Sequence, residues 1–147
     1  MDNSIVEILF IEDNHYEAEL MIRNLKKHNL ASKLKHVDDG AKALDLIFTK
    51  YTDKAGTDTM NLKLIILDLK LPKVDGIEIL RRLKKDERTK MIPVVILTSS
   101  LEEKDINESY KLGANSYVVK PMNFASFSKA VTAIGLYWAR VNQIANT

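Results

Sequence analysis

The 147-residue sequence contains no cysteine. This absence excludes disulfide bonds, thiol catalysis, and zinc or iron–sulfur sites that are built on cysteine. The chain also has no apolar run near the ~18 residues that a membrane span needs. Residues 1–4 carry no basic charge and no apolar stretch of the kind that opens a signal peptide. From these absences we expect a cytoplasmic protein that makes no membrane contact.

The sequence has no strong excess of charge of either sign. Lysine and arginine number 22 and aspartate and glutamate 20, so the formal net charge is +2. This value is too small to indicate direct binding of nucleic acid. The basic clusters at residues 26–27, 81–82 and 84–85 have acids nearby, and we interpret them as solvated faces of helices.

The composition is that of an ordinary globular domain, with 46% hydrophobic and 29% charged residues. A chain of this length can fill one core without a disulfide or a structural metal. We predict a single domain over residues 1–147, with its core at about residues 5–135 and an extended C-terminal helix at about residues 123–144.

Short apolar runs alternate five times with longer segments of helical periodicity, which predicts a (βα)₅ chain. Strands are predicted at residues 5–11, 33–37, 62–67, 94–97 and 116–119, and helices are predicted to begin near Asn14, Asp39, Asp75, Ser100 and Asn123. Residues 50–61 are polar and aperiodic and predict a long surface loop. The Val, Ile and Leu runs of the middle strands favour a parallel sheet that is covered by helices on both faces.

Polar residues stand at the ends of four of these strands. They are the pair Glu12 and Asp13, then Asp68, Thr98 and Lys120. In a doubly wound sheet the site lies at the carboxyl ends of the strands, so we expect these side chains on one rim. Three carboxylates together need a cation, and Lys120 supplies only one charge. Oxygen ligands suit Mg²⁺, or Mn²⁺ in its place, better than zinc.

A magnesium site of this kind indicates phosphoryl transfer, in which a carboxylate can act as the nucleophile and form an aspartyl phosphate. Asp68 is the best candidate for the nucleophile because it closes the most apolar central strand. Asp13 is the best direct metal ligand, with Glu12 beside it, while Thr98 and Lys120 would bind the phosphoryl oxygens. Each residue alone has an ordinary interpretation as a turn or cap residue. The prediction depends on finding all of them at the correct strand ends.

The Glu12–Asp13 pair and the segments LDLKLPKVDG, ILTSS and LGANSYVVKP together resemble the receiver domain of two-component response regulators. The resemblance covers about residues 5–135 and implies a flavodoxin-like fold with strand order 2-1-3-4-5. It implies that a sensor histidine kinase phosphorylates Asp68. In this family Mg²⁺ would be held by Glu12, Asp13, Asp68 and the backbone carbonyl of Lys70.

The resemblance also assigns a conformational switch. Thr98 would be the switch hydroxyl, Tyr117 the switch aromatic residue and Lys120 the phosphate-binding lysine. Residues 50–61 and the C-terminal segment LYWARVNQI resemble single-domain regulators that are partnered with bacterial phytochromes and related hybrid kinases. Lys70 departs from this subgroup, which often has Asn there, and this leaves the lifetime of the phosphorylated state open. We see no DNA-binding or catalytic output segment, so we expect either that the output is a downstream protein or that the chain is a relay that passes the phosphoryl group onward.

Three alternatives are weighed against the receiver. A phosphatase of the haloacid dehalogenase type needs a second acid two residues after its nucleophile, where this chain has Lys70. A flavin-binding protein of the same fold needs a phosphate-cradling loop after the first strand, where Glu12 and Asp13 would repel a phosphate. A non-phosphorylated pseudo-receiver that acts as a scaffold would have lost Asp68, Thr98 or Lys120, and the sequence retains all three.

The last helix carries a continuous apolar stripe, which consists of Phe124, Phe127, Val131, Ile134, Trp138 and Val141. A strand of five or six residues spans under ~20 Å, and a helix outruns it after about 13 residues. We therefore predict that Trp138 and Val141 project past the sheet, with Leu136 and Tyr137 on the adjoining face. Such a patch favours a homodimer through the C-terminal helix. The alternative is that this tail folds back on its own domain.

Overall fold

The structure is a computed structural model that describes residues 5–30, 33–51 and 60–145. Its strands are β1 (Val6–Ile11), β2 (Leu34–Val37), β3 (Met60–Leu67), β4 (Val94–Thr98) and β5 (Ser116–Val119). Its helices are α1 (His15–Lys26), α2 (Gly40–Asp45), α3 (Gly76–Lys85), α4 (Glu103–Leu112) and α5 (Phe124–Leu136). Helix α2 continues as the π-helical segment Leu46–Tyr51, and α5 continues as the π-helical segment Tyr137–Val141. None of the helices in these ranges is long and apolar enough to cross a bilayer.

The five strands form one parallel sheet in the order β2-β1-β3-β4-β5, which confirms the predicted flavodoxin-like fold. The strand order reverses between β1 and β3, where Ile11 is paired with Leu67. On the other side of β3, Leu67 is paired with Ile96, and Thr98 at the end of β4 is paired with Val119. This register brings the carboxyl ends of β1, β3, β4 and β5 to one rim.

The central strands are apolar at residues 8–11, 64–67 and 94–97 because both faces of the sheet are buried there. Alternate residues of β1 and β3 point to opposite sides of the sheet, as the pleat requires. One set, which includes Ile8 and Phe10, packs against α1 and α5, and the other, which includes Leu9 and Ile11, packs against α2 and α3. All four side chains are fully buried. The absence of a polar face on these strands is therefore explained by helices on both sides.

Short polar side chains fix where four of the helices begin. Asn14, Asp39, Asp75 and Asn123 each accept a hydrogen bond from a backbone amide in the first turn of the helix that follows. Helix α4 is different, because it begins at Glu103 and not at the predicted Ser100. The Ser100 hydroxyl donates to Asp105 at 2.6 Å and accepts from the Glu102 amide at 3.2 Å, so this residue organises the loop before α4.

The structure corrects the predicted loop at 50–61 at both of its ends. The π-helical segment after α2 reaches Tyr51, and β3 begins at Met60, two residues before the predicted strand. Met60 is paired with Val6, with a register irregularity between Val6 and Ile8. The apolar pattern did not predict this first part of β3 because polar residues interrupt it there. The rest of the predicted loop, residues 52–59, lies outside the described residues.

The basic cluster at residues 84–85 is only half solvated. Lys85 is exposed, as predicted, but the Lys84 ammonium donates hydrogen bonds to the carbonyl oxygens of Lys90 at 3.1 Å and Ile92 at 2.8 Å and to the Asn115 side chain at 3.1 Å. Burial lowers the pKa of Lys84 to about 8. This lysine ties the end of α3 to the loops before β4 and β5, a role that its sequence neighbours do not indicate.

The C-terminal segment continues α5 and packs on the domain, against the prediction that Trp138 projects past the sheet. Trp138 is half-buried against the core cluster on the α1–α5 side, and Ala139 is 5% exposed. The Arg140 guanidinium donates to the His28 carbonyl at 3.1 Å, at the end of α1. The physical reason is the length of the sheet: β3 has eight residues, about 26 Å at ~3.3 Å per residue. Tyr137 and Val141 remain exposed, at 48% and 63%.

Candidate functional site

Three carboxylates meet at the rim where the strand order reverses. Glu12 and Asp13 follow β1, Asp68 follows β3, and one oxygen from each lies within 4.8 Å of the others. The pairing of Ile11 with Leu67 places them there, and the Asp68 amide donates to the Ile11 carbonyl at 3.1 Å. Glu12 and Asp68 are buried, at 1% and 6% exposure, whereas Asp13 is exposed. The cluster therefore has two buried ligands and one that faces solvent.

Lys120 is the cation of this cluster. Its amide donates to the Thr98 carbonyl at 2.7 Å, which fixes the start of its side chain at the end of β5. Its ammonium lies 2.9 Å from Asp68 Oδ2, 2.8 Å from Glu12 Oε1 and 2.7 Å from an oxygen that the sequence did not predict, Glu17 Oε1. Burial alone would lower the pKa of Lys120, but the contacts with Glu12 and Glu17 and the charge of Asp68 outweigh burial and raise it.

Glu17 was not among the site residues that the sequence predicted. A glutamate three residues after an N-cap often returns its carboxylate to the cap amide. Here the Asn14 amide donates instead to Glu12 Oε2 at 3.1 Å, and Asn14 Oδ1 accepts from the Glu17 amide at 3.0 Å. The Glu17 carboxylate is therefore available to Lys120. The sequence offered one signal for this contact, because Glu17 is an acidic residue in the first turn of α1, the helix that begins at the rim.

The electrostatics of the cluster are dominated by burial. Burial and the neighbouring charge of Asp68 raise the pKa of Glu12 to about 8, and contact with Lys120 and the Asn14 amide only partly oppose them. Glu12 is thus the group most affected by the shortage of positive charge, because it is the most deeply buried of the carboxylates.

In the metal-free protein, the free energy of unfolding should fall as the pH rises from about 5 to about 8. Over this range folded Glu12, with its pKa raised from 4.5 to about 8, holds a proton that the unfolded chain releases, so a higher pH favours unfolding. Urea denaturation at several pH values measures this, with Glu12→Gln as the control that should flatten the profile. The same downward slope in both proteins would assign it to other groups.

The donor set fits a hard divalent cation. Carboxylate oxygens are the ligands that Mg²⁺ and Mn²⁺ prefer, and exposed Asp13 leaves the cluster open to solvent and to ligands that the protein does not supply. Glu12 Oε1 is charge-paired with Lys120 but has no aligned hydrogen bond. This buried oxygen therefore has a free lone pair, which a metal ligand requires. The predicted fourth ligand, the Lys70 carbonyl, follows Asp68 by two residues, and the Lys70 amide lies 3.4 Å from Asp68 Oδ1.

The two predicted switch residues lie on neighbouring strands beside the carboxylates. Thr98 is buried, at 1% exposure, at the end of β4. Tyr117, on β5, is half-buried, and its hydroxyl donates to the Ser100 carbonyl at 3.0 Å. Burial raises the pKa of Tyr117, so the phenol stays a donor at neutral pH. The aromatic ring is thus fastened to the loop that leads from β4 into α4.

Comparison with known proteins identifies the family. A family model described as the response regulator receiver domain matches residues 8–132, so this chain belongs to the response regulator receiver domain family. The response regulator Rcp1 of Synechocystis sp. is 35% identical over 131 residues, which cover 89% of this chain and 87% of Rcp1. This confirms the predicted resemblance to single-domain response regulators and favours the receiver over a phosphatase.

Solved structures agree with this assignment. The phosphorylated cyanobacterial phytochrome response regulator RcpA gives a TM-score of 0.85 at 31% identity, and the match covers 97% of this chain and all of that one. The Mn²⁺-bound form of Rcp1 gives a TM-score of 0.84 at 32% identity, with 96% of this chain and 99% of that one covered. Receiver domains bind Mg²⁺ at an acidic site, and the carboxylate cluster of this chain is consistent with that property.

Proposed function

We propose that this chain is a stand-alone response regulator that accepts a phosphoryl group on Asp68 in a Mg²⁺-dependent reaction. The observation that carries the proposal is the position of Asp68. Its carboxylate lies 2.9 Å from the Lys120 ammonium and is grouped with Glu12 and Asp13 at the strand ends. The chain catalyses its own phosphorylation and dephosphorylation and is a signalling switch in all other respects.

The chemistry is an in-line displacement at phosphorus. A carboxylate oxygen of Asp68 attacks the phosphoryl group, the bond from phosphorus to the donor breaks, and the donor leaves with the electron pair of that bond. Lys120 and the Thr98 hydroxyl bind the transferred oxygens. Glu12, Asp13, Asp68 and the Lys70 carbonyl would hold Mg²⁺, which supplies charge neutralisation when bound. Lys70 is exposed next to Asp68, so its side chain is placed to influence the lifetime of the acyl phosphate.

Intact-mass spectrometry tests the proposed function. Wild-type protein incubated with acetyl phosphate and Mg²⁺ should gain about 80 Da, the mass of one phosphoryl group. Chelation of the metal should prevent the gain. A mass unchanged in the presence of both Mg²⁺ and the donor would favour the alternative of a pseudo-receiver scaffold.

The switch is proposed to run through Thr98 and Tyr117. A phosphoryl group on Asp68 offers new acceptors to the Thr98 hydroxyl, and Tyr117 can turn into the space that Thr98 leaves. Such a device is a shift between two conformations, driven only by contacts that differ between them. The link from Tyr117 to the Ser100 carbonyl would carry the change into α4.

Thr98→Ala should still be phosphorylated but should fail to transmit. Thr98 is buried at the end of β4 and is not the acceptor, so loss of its hydroxyl removes the coupling and leaves the nucleophile in place. Amide NMR spectra before and after phosphorylation measure this, with the expected result that shifts in α4 and β5 seen in wild type are lost. Thr98→Ser, which keeps the hydroxyl, is the control. Wild-type shifts in Thr98→Ala would place the coupling elsewhere.

The kinase partner is proposed to be a sensor histidine kinase, with a phytochrome-like or hybrid kinase as the specific candidate. Support comes from the solved neighbours, several of which are phytochrome or bacteriophytochrome response regulators. The downstream partner is proposed to be a protein, with no direct nucleic-acid contact.

A homodimer through the C-terminal helix is the proposed assembly. The dimer is supported by the exposed pair Tyr137 and Val141, which are neighbours on the helix surface at a spacing of four residues. Val141→Glu should therefore give monomers in sedimentation at concentrations at which wild type is dimeric. Met91→Glu, at an exposed apolar residue before β4, is the matched control. Monomeric wild type at ~100 μM, well above the concentrations at which specific dimers form, would end the idea.

A further inference from the structure

The Lys120 ammonium has three protons to donate and three carboxylates around it. Two of the contacts are aligned hydrogen bonds, to Glu17 Oε1 at 2.7 Å and to Asp68 Oδ2 at 2.9 Å. The third, to Glu12 Oε1 at 2.8 Å, pairs charges without an aligned hydrogen bond. Glu17 and Asp68 therefore hold two of the N–H groups, and Glu12 is in ion-pair contact with the ammonium without an aligned hydrogen bond.

The position of Glu17 is held by the rim itself. Its amide donates to Asn14 Oδ1, and Glu12 occupies the cap amide that a glutamate at this place would otherwise bind. Its side chain is 26% exposed, and the Lys120 side chain 10%. The ion pair between them joins α1 to the end of β5 across 103 residues of sequence, and it is partly shielded from solvent.

We propose that Glu17 is a positioning residue that takes up one N–H of the Lys120 ammonium, so that no aligned hydrogen bond is donated to Glu12 and the Glu12 carboxylate stays available to the divalent cation. Without Glu17, the freed N–H of Lys120 turns to the nearest acceptor, which is Glu12 Oε1. The ammonium then competes with the cation for two of its carboxylate ligands. The inference rests on the proposed Mg²⁺ dependence and deepens it, because it assigns a residue that tunes metal affinity from outside the ligand set.

Glu17→Ala should weaken Mg²⁺ binding about ten-fold, the lower end of what the loss of a group behind a metal ligand costs. Isothermal titration calorimetry with MgCl₂ measures the affinity without any phosphodonor. The N-cap of α1 is unaffected because it uses the backbone amide of residue 17. Glu19→Ala is the matched control. It removes the same side chain from the same helix, where Glu19 is 71% exposed and, within the part of the chain that the structure describes, is paired with Arg23 alone.

A double-mutant cycle separates positioning from general electrostatics. In a Lys120→Gln background no ammonium can move, so adding Glu17→Ala should change the Mg²⁺ affinity by less than about two-fold. An equal loss of affinity with and without Lys120 would overturn the proposal, because the removed charge alone would then account for it. Unchanged affinity in the single variant Glu17→Ala would overturn it as well.

Phosphorylation kinetics give an independent readout. Glu17→Ala should raise the Mg²⁺ concentration for half-maximal phosphorylation by acetyl phosphate about ten-fold and leave the rate at saturating Mg²⁺ within about two-fold of wild type. A fall in the saturated rate with no change in the half-maximal concentration would contradict the inference. Failure of wild type to bind Mg²⁺ would be a failure of the proposed function, and it is distinguishable from these results.

Discussion

Asp68→Asn should abolish phosphorylation of this chain at any concentration of acetyl phosphate. The amide keeps the shape of the carboxylate and one acceptor oxygen for Lys120, but it has no negatively charged oxygen with which to attack phosphorus. Intact-mass spectrometry should show the gain of about 80 Da in wild type and none in the variant. The effect is all or none because the variant has no carboxylate oxygen to act as the nucleophile.

The geometry explains why Asp68 is the acceptor and its neighbours are not. Glu12 is almost fully buried, with Oε2 bonded to the Asn14 amide and Oε1 beside the Lys120 ammonium, so a phosphodonor in solvent does not reach it. Asp13 is exposed, and the Lys120 ammonium pairs with Glu12, Glu17 and Asp68 instead of with it. Asp68 combines the Lys120 contact on Oδ2 with an Oδ1 that accepts only a long hydrogen bond, 3.4 Å, from the Lys70 amide among the described residues.

Asp45→Asn is the matched control for this experiment, because Asp45 is an exposed aspartate at the end of α2. It should be phosphorylated as wild type is. Peptide mapping decides the remaining case, in which a variant is labelled at low level on a neighbouring hydroxyl. Full labelling of Asp68→Asn with no such relocation would refute the assignment of the nucleophile.

Lys120→Gln should destabilise the metal-free protein by about 3 kcal/mol at pH 8, the cost of leaving buried charge without its partner. Glu12 and Asp68 are both buried, and Lys120 is the cation recorded in contact with them. The loss should be smaller at pH 5, where Glu12, whose pKa is already raised to about 8, holds a proton and carries no charge. Mg²⁺ should restore most of the stability at pH 8, since it supplies the missing positive charge.

Urea denaturation at both pH values, with and without MgCl₂, measures this pattern. Lys104→Gln removes the same charge from the exposed surface of α4 and should have little effect in any of the four conditions. A loss in Lys120→Gln that is the same at both pH values and is unaffected by Mg²⁺ would mean that the lysine contributes through packing alone. Phosphorylation of Lys120→Gln should also be slow, because the transferred oxygens lose their ammonium partner.

The fold was largely predictable because its signals are local. The periods of the apolar residues separate strands from helices, and capping side chains mark the helix starts at Asn14, Asp39, Asp75 and Asn123. The strand order came from the resemblance and is confirmed by the sheet. Element edges were harder to place where local polarity and tertiary pairing disagree, as at Met60, which has polar sequence neighbours yet pairs with β1.

The sequence by itself determined which residues stand at the strand ends, and a parallel sheet must bring those ends together. That is why Glu12, Asp13 and Asp68 are found as one cluster with Lys120 beside them. Only the tertiary structure decided how the charges are shared. The contact of Glu17 with Lys120 depends on the placement of α1 over the rim.

The same distinction applies to the C-terminal segment. Its apolar stripe is visible in the sequence. Whether Trp138 is buried, however, depends on the length of β3, a strand that lies more than 70 residues earlier in the chain. The periodicity of apolar residues predicts which face of a helix is buried, but it does not predict which element packs against that face. Contacts between distant segments follow from the packing of whole elements, so they were decided only when the chain folded.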